Sequence, residues 1–407
     1  MASKPRIAVI GAGPAGLMAA ETAARENCAV TIYEVMPTPG RKFLMAGRSG
    51  LNITHSEDFE RFASRYGAAA DWLKPMLRDF SGADMRAFCD GLGVETFVGT
   101  SGRVFPTAMK ASPLLRAWLA RLADLGVELR TRAKLVDFTA AGAPVIEADG
   151  RRKDVAADAA ILALGGASWP RLGSDGGWAA LLAGEGVALE PFRPSNCGLE
   201  IAWSDVFRQK FEGQALKTAR FSHGDRSVAG EAVVTRRGLE GGPVYALAAG
   251  IGEGLRAGAT ETIALDLKPD TSEAALATRL SHRRAKDSFG NALRKATGLA
   301  PVAVALLREC DPALARREPA ALAALIKSCR LSVTGVAGLE RAISSAGGVR
   351  LDEIDSGLML EKLPGLFVAG EMLDWDAPTG GYLLQACFAT GRRAGQAAAA
   401  YAGKRRV

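Results

Sequence analysis

The stretch RIAVIGAGPAGLMAAETAARENCAVTIYE, residues 6–34, constrains the fold of this chain more than any other. Ile7 to Ile10 is a short, uniformly apolar run, the pattern of a buried strand. A glycine turn follows, then a helix from Pro14 to about Arg25, then a second strand from Val30 to Tyr33 that ends on the acid Glu34. This is a βαβ unit with a phosphate-binding turn. Gly11 makes the tight turn, Gly13 lets a pyrophosphate approach the backbone, and Gly16 lets the helix lie close on the strand. Ala12, Pro14 and Ala15 fill the turn between them, so the free N–H groups of the first helical turn point at negative oxygens. Glu34 stands where a ribose 2′-hydroxyl would be held.

Two later segments repeat the strand-then-glycine pattern. DAAILALGGASWP (158–170) places Ala163, Leu164 and Gly165 after a buried strand, and GLFVAGEMLDWDAPTGGYLLQACFATGRRAG (365–395) places Gly370 and Glu371 after another. The sheet is therefore reassembled from both ends of the chain. A nicotinamide dehydrogenase needs one such unit and then a catalytic domain, whereas later supporting strands suit a cofactor with a second half, a flavin dinucleotide. Between them, residues 194–273 contain short, alternating, turn-bounded segments typical of antiparallel strands. Residues 274–330 read as helices, opened by the cap Thr271-Ser272-Glu273. The organisation expected is an α/β, Rossmann-like FAD-binding domain (1–193 and 345–407), a β-barrel-like insert (194–273 and 331–344) and, within that, a helical insert (274–330).

Composition narrows the setting. A chain of 407 residues, 48% of them apolar, is long enough for two or three packed units. It has no run of about 18 apolar residues and no apolar stretch after its first residues, so no membrane association and a cytoplasmic location are expected. The six cysteines are scattered without a C-x-x-C pair or a histidine at metal-ligand spacing, so neither a disulfide framework, a redox dithiol nor a metal site is expected. Redox chemistry must then come from a cofactor. The net charge of +7 is concentrated: residues 274–330 hold eleven Lys or Arg against four acids. A solvated helical face explains this most simply, and a weak RNA contact is the sharper alternative.

The segments GRKFLMAGRSGLNITHS, GRVFPTAMKAS, ALGGASWPRLGSDGGW, TRRGLEGGPV, SSAGGV and GEMLDWDAPTGGYLLQACFATG together resemble a bacterial family of NAD(P)/FAD-dependent oxidoreductases. It includes aminoacetone-oxidase-like proteins, 3-dehydro-bile-acid reductases and a ribosomal-RNA dihydrouridine synthase. The likeness spans nearly the whole chain and implies a FAD domain carrying a barrel and helical insert, a site shared by several chemistries. It implies that Arg41 and Lys42 approach the phosphate and ribose groups, that Gly47 lies in a loop passing the isoalloxazine face, and that Ala133 lies beside the cofactor. Gly380, Gly381, Tyr382 and Leu383 would begin a helix beneath the flavin N1/O2 edge, and Glu371 would meet the ribityl hydroxyls.

Many members of the family read Gly-Gly-Gly-Arg-Cys-Asn in the first loop; here it reads Gly47-Arg48-Ser49-Gly50-Leu51-Asn52, so a thiol proton donor is absent there. Asn52, His55 and Arg48 are the candidate catalytic residues: an amide beside the ring, a substitute proton donor and a group that steers an anionic substrate. No second G-x-G-x-x-G with a following acid is present, so NAD(P)H is expected to dock transiently where the substrate binds, between the FAD domain and the insert. The resulting expectation is NAD(P)H-dependent reduction of an activated C=C bond in a small molecule. Dihydrouridine formation in ribosomal RNA and a flavin-binding sensor without turnover are the alternatives.

Overall fold

The computed structural model describes residues 3–47, 50–282 and 288–405. The chain forms two compact units, residues 1–193 with 344–407 and residues 194–343.

The first unit is built on a five-stranded parallel sheet in the spatial order Leu366–Val368, Ala159–Leu162, Arg6–Ile10, Ala29–Glu34, Glu128–Thr131. The three strands read from sequence as far apart as residues 6, 159 and 366 are direct neighbours, with Ile7 opposite Ala159 and Ala160 opposite Leu366. Each is buried on both faces, which is why each reads as a continuous apolar run. Helix Pro14–Arg25 packs against the terminal helix Tyr382–Lys404 through small residues. A Cβ at Gly395 would lie 2.6 Å from the Ala19 carbonyl oxygen, so the two backbones touch only because glycine stands there. Among the helices, Glu21 is buried but its charge is answered: Trp118 Nε1 donates to it at 2.7 Å, and Arg25 and Arg121 lie at 2.7 and 3.2 Å.

Two small antiparallel sheets flank this core. One joins Thr54–His55, Arg103–Pro106 and Thr96–Val98; the other joins Ala133–Phe138, Pro144–Ala148 and Arg151–Asp154.

In the second unit a seven-stranded antiparallel sheet runs Cys329–Val333, Glu261–Asp266, Ala215–His223, Arg226–Val234, Gly238–Glu240, Leu199–Glu200, Gly335–Val336. Its two outermost strands are separated in the chain only by Thr334, so one segment serves both edges and the sheet curls round to meet it. Helices Gly242–Arg256, Glu273–Ser281, Phe289–Thr297, Pro301–Cys310 and Pro319–Lys327 share one apolar core with this sheet. Ser272 caps its helix by accepting from the Ala275 N–H. A disulfide is present, contrary to the expectation from cysteine spacing. Cys310, at the end of a helix, is bonded to Cys329 at the start of an edge strand, with Cα atoms 6.4 Å apart. A pair 19 residues apart with a helix between them leaves no local spacing signal. At the other limit of the unit, the Ile343 N–H donates to the Asn196 carbonyl at 3.2 Å.

Candidate FAD site

A cavity of about 390 Å³ opens at the carboxyl ends of the parallel strands, where α/β sheets bind ligands. Its lining includes Gly11, Ala12, Gly13, Pro14 and Ala15 from the first turn, Glu34 from the second strand and Ala163, Leu164 and Gly165 from the third. Arg41, Lys42, Ala133 and Glu371 complete the expected residues found on its wall.

The glycines of the first turn are required for different reasons. Gly11 has φ 105°, and a Cβ there would collide with the Ala163 carbonyl; a Cβ at Gly16 would collide with the Gly11 carbonyl. Gly13 has an extended backbone any residue could adopt, and a Cβ there would meet nothing within 4 Å. Packing does not explain that glycine; the open space beside it does. Helix Pro14–Arg25 starts with no side-chain cap and no acid in its first turn, and its first N–H groups face this space, as a pyrophosphate requires.

Glu34 is 8% exposed. One carboxylate oxygen accepts from the Ala12 N–H and the other from the Met36 N–H, both at 2.8 Å. Burial holds its carboxyl above the usual carboxylate range, against the pull of those two N–H groups and of Arg41. Each oxygen keeps a second lone pair for a sugar hydroxyl, so the residue fits the adenosine ribose. The residues present therefore fit a flavin adenine dinucleotide in its phosphate and ribose half.

Several placements differ from expectation. Lys42 Nζ lies 2.6 Å from Glu371 and 2.7 Å from Ser168 Oγ, so it neutralises the strand-end acid rather than standing free for a phosphate. Glu371 also accepts from the Ser345 N–H at 3.0 Å, which fixes its carboxylate across the cavity wall. Gly47 is pressed against Ala111, and the Gly370 N–H donates to Thr390 Oγ1 at 3.0 Å; neither lines the cavity. Gly380, Gly381, Tyr382 and Leu383 also lie off its wall, at the start of the terminal helix, where Gly381 is close enough to Thr54 that a Cβ would sit 2.5 Å from its backbone.

His55, expected as a candidate proton donor, is engaged by its neighbours on both ring nitrogens. Its Nδ1 accepts from the Glu57 N–H at 3.1 Å, its Nε2–H donates to the Ser101 carbonyl at 3.0 Å, and its ring stacks on Tyr382 at 5.6 Å. Both nitrogens have backbone partners. Asn52 does not line the cavity, and its buried Oδ1 has no hydrogen-bond partner among the described residues. Leu51 is fully buried. Arg48 lies outside the described residues, as do Arg283, Arg284 and Lys286 of the basic segment.

Sequence reasoning missed part of the wall. The loop Leu172–Trp178 closes over Gly165, with Trp178 Nε1 donating to the Gly165 carbonyl at 2.8 Å and Ser174 Oγ donating to the Gly166 carbonyl at 3.1 Å. Its signal was the motif RLGSDGGW. Cys387 also lines the cavity, its thiol pushed up to about 12 by burial and by Glu371, so it stays protonated. Trp375 is buried, with Nε1 donating to the Gly370 carbonyl at 2.9 Å. Thr235 to Gly238 is a tight turn in the second unit. Among the described residues no group of His, Cys, Asp and Glu could hold a metal ion, and no helix is long and apolar enough to cross a membrane.

The fold and the cavity define a dinucleotide-binding flavoprotein. Residues 5–397 match the HI0933-like protein Rossmann domain, and the chain belongs to that family and is a FAD-dependent oxidoreductase. It is 30% identical over 413 residues to the 3-dehydro-bile acid delta(4,6)-reductase of Clostridium scindens, covering 97% of this chain and 99% of that one. The ribosomal RNA dihydrouridine synthase of Escherichia coli is 23% identical over 386 residues, covering 93% and 94%. Among solved structures, a flavocytochrome c3 fumarate reductase superposes with TM-score 0.55 at 16% identity, covering 98% of this chain and 79% of that one. The 3-ketosteroid-delta4-(5alpha)-dehydrogenase of Rhodococcus jostii RHA1 superposes with TM-score 0.51 at 16% identity, covering 98% of each. These two likenesses speak for the fold.

Proposed function

We propose that this protein reduces a C=C bond conjugated to a carbonyl in a small molecule, drawing electrons from NAD(P)H. The observation that carries the reading is the match, end to end, to a reductase of such bonds. When bound, FAD supplies the hydride exchange. The chain contributes position and electrostatics: the first turn holds the pyrophosphate and Glu34 the ribose. The Lys42–Glu371 pair keeps the cavity wall near neutral. With no second dinucleotide motif, NAD(P)H and substrate would take turns at one place, giving ping-pong kinetics.

The test is anaerobic rapid mixing of the FAD-loaded protein with NADH and with NADPH, then with α,β-unsaturated ketones. Bleaching of the flavin by one nicotinamide and its recovery on adding an enone support the reading. Reduction with no recovery on any enone refutes the substrate class, and no reduction by either nicotinamide refutes the donor.

Uridine reduction in RNA is a second reading, favoured by the 23% identical relative and the basic segment 274–330. Against it, Phe289, the one aromatic residue of that segment, packs on the apolar core rather than offering a base-stacking face. Loss of a dihydropyrimidine from the RNA of a deletion strain, restored by the intact gene, would decide for it.

A further inference from the structure

The second unit carries a cavity of its own, about 470 Å³, within the size range of small-molecule sites. Its floor is apolar: Leu216, Leu267, Leu299 and Val302 line it, and all four belong to the core of the unit. The rim differs. Lys217 and Lys268 stand there with one acid, Asp270, which leaves one positive charge in excess. Neither ammonium group has a hydrogen-bond or ion-pair partner among the described residues. The backbone under each lysine is nonetheless fixed. Strand Ala215–His223 pairs Leu216 with Ala232 and Ala219 with Gly230, so Lys217 and Thr218 oppose Glu231 alone and the strand bulges. Thr218 has φ 52°, a left-handed conformation that strains a β-branched side chain and persists only where the surroundings impose it. Bulges of this kind re-aim side chains beside binding sites. In the loop after strand Glu261–Asp266, Lys327 Nζ donates to the carbonyls of Lys268 and Thr271, each at 2.9 Å, and lies 2.6 Å from Asp266. One lysine is thus spent on holding the loop while the ammonium of another stays free. Lys268 Nζ reaches beside Gly298, where a Cβ would lie 3.8 Å from it.

We propose that this cavity binds a small amphipathic carboxylate, its apolar body on the floor of leucines and its charge between Lys217 and Lys268. One excess positive charge on the rim matches a monoanion, whereas a phosphate dianion would bring a second charge that the rim leaves unanswered. The apolar body supplies most of the affinity by freeing the floor of water, and the two lysines decide which end points outward. A neutral molecule of the same shape gains nothing from the ammonium groups. The cavity shares no lining residue with the dinucleotide site, so its occupancy and the flavin content of the protein are separate readouts.

The experiment is equilibrium dialysis of the FAD-loaded protein against decanoate, kept below the concentration at which it forms micelles, with decyl alcohol as the neutral comparison. Wild type is set beside Lys217→Gln, Lys268→Gln, the double variant, and Ala300→Trp, which places a bulky ring on the exposed part of the cavity wall. The expected result is saturable uptake of one decanoate per chain, weakened about two- to fivefold by the loss of each lysine and abolished by Ala300→Trp, with flavin content unchanged throughout. If Ala300→Trp fails to fold, the lysine variants carry the test, because neither ammonium holds any part of the fold. No saturable uptake by wild type overturns the proposal. So does equal uptake by wild type and the double variant, which would place the decanoate elsewhere, and so does decyl alcohol bound as tightly as decanoate, which would remove the recognition of charge.

Discussion

Replacing Gly13 by valine separates cofactor binding from folding. The backbone at Gly13 is extended, and a Cβ there meets nothing within 4 Å, so the folded chain has no steric objection to the change. The free space is the cavity, where a pyrophosphate must approach the turn. Forcing valine methyls into a closely packed ligand contact costs about 1–3 kcal/mol, which is about 5- to 150-fold in the dissociation constant of FAD. At FAD concentrations about 100 times the wild-type constant, binding adds about 2.7 kcal/mol of stability, and the variant forfeits a matching share. Flavin released from the denatured protein is measured by absorbance, and thermal melts are run with and without added FAD. The flavin-free melting temperature should match wild type while the FAD-dependent increment shrinks. Gly16→Ala is the contrast, because its Cβ would strike the Gly11 carbonyl and should lower soluble yield whether or not FAD is present. Gly13→Val protein that holds FAD with wild-type affinity would refute the argument, and so would a variant that fails to fold in the presence of excess FAD.

His55→Ala should lower the melting temperature through the lost stack and two backbone bonds, yet leave the pH profile of flavin reduction unshifted; a displaced profile would restore the ring as a proton carrier. Burial pushes the Glu57 carboxyl up, but Arg65 and Tyr382 outweigh it and hold it below its ordinary 4.5; its stabilising contribution is therefore complete above that value and lost as pH falls through the depressed folded value. Glu57→Gln should remove that part of the acid limb in pH-dependent melts. Reduction of the Cys310–Cys329 bond, or Cys329→Ser, should cost about 3 kcal/mol for a loop of this length, read as a lower melting temperature of the second unit. Charge reversal at Arg294 and Lys295 should leave the salt slope of any RNA binding unchanged; if these side chains do bind phosphates, the slope should fall by about 0.7 for each phosphate no longer neutralised.

The parallel sheet was legible because each strand's burial on two faces is written into its own residues, and because glycine placement in the first turn is a local requirement. Barrel closure through Thr334 could be read only in outline, since short alternating strands do not say which of them meet. The Lys42–Glu371 pair spans 329 residues and leaves no periodic trace, so the sequence suggested a free cation beside a free acid where the fold joins them. The surroundings of His55 were hidden for a similar reason. The Ser101 carbonyl that occupies its Nε2 arrives from a strand turn 46 residues on, and no property of the local sequence forecasts it. The disulfide was hidden by the helix Pro319–Lys327 between its two cysteines.

The bond from Ile343 to Asn196 gives the second unit a single doorway, because chain enters and leaves it side by side. To the parallel sheet, everything from 194 to 343 then amounts to a closed loop of negligible span, whatever its contents. Such a module can be lost, lengthened or traded for a relative's without asking the dinucleotide turn to change. A chimera spliced at those two points should keep its yellow colour, because every residue lining the dinucleotide cavity lies outside 194–343.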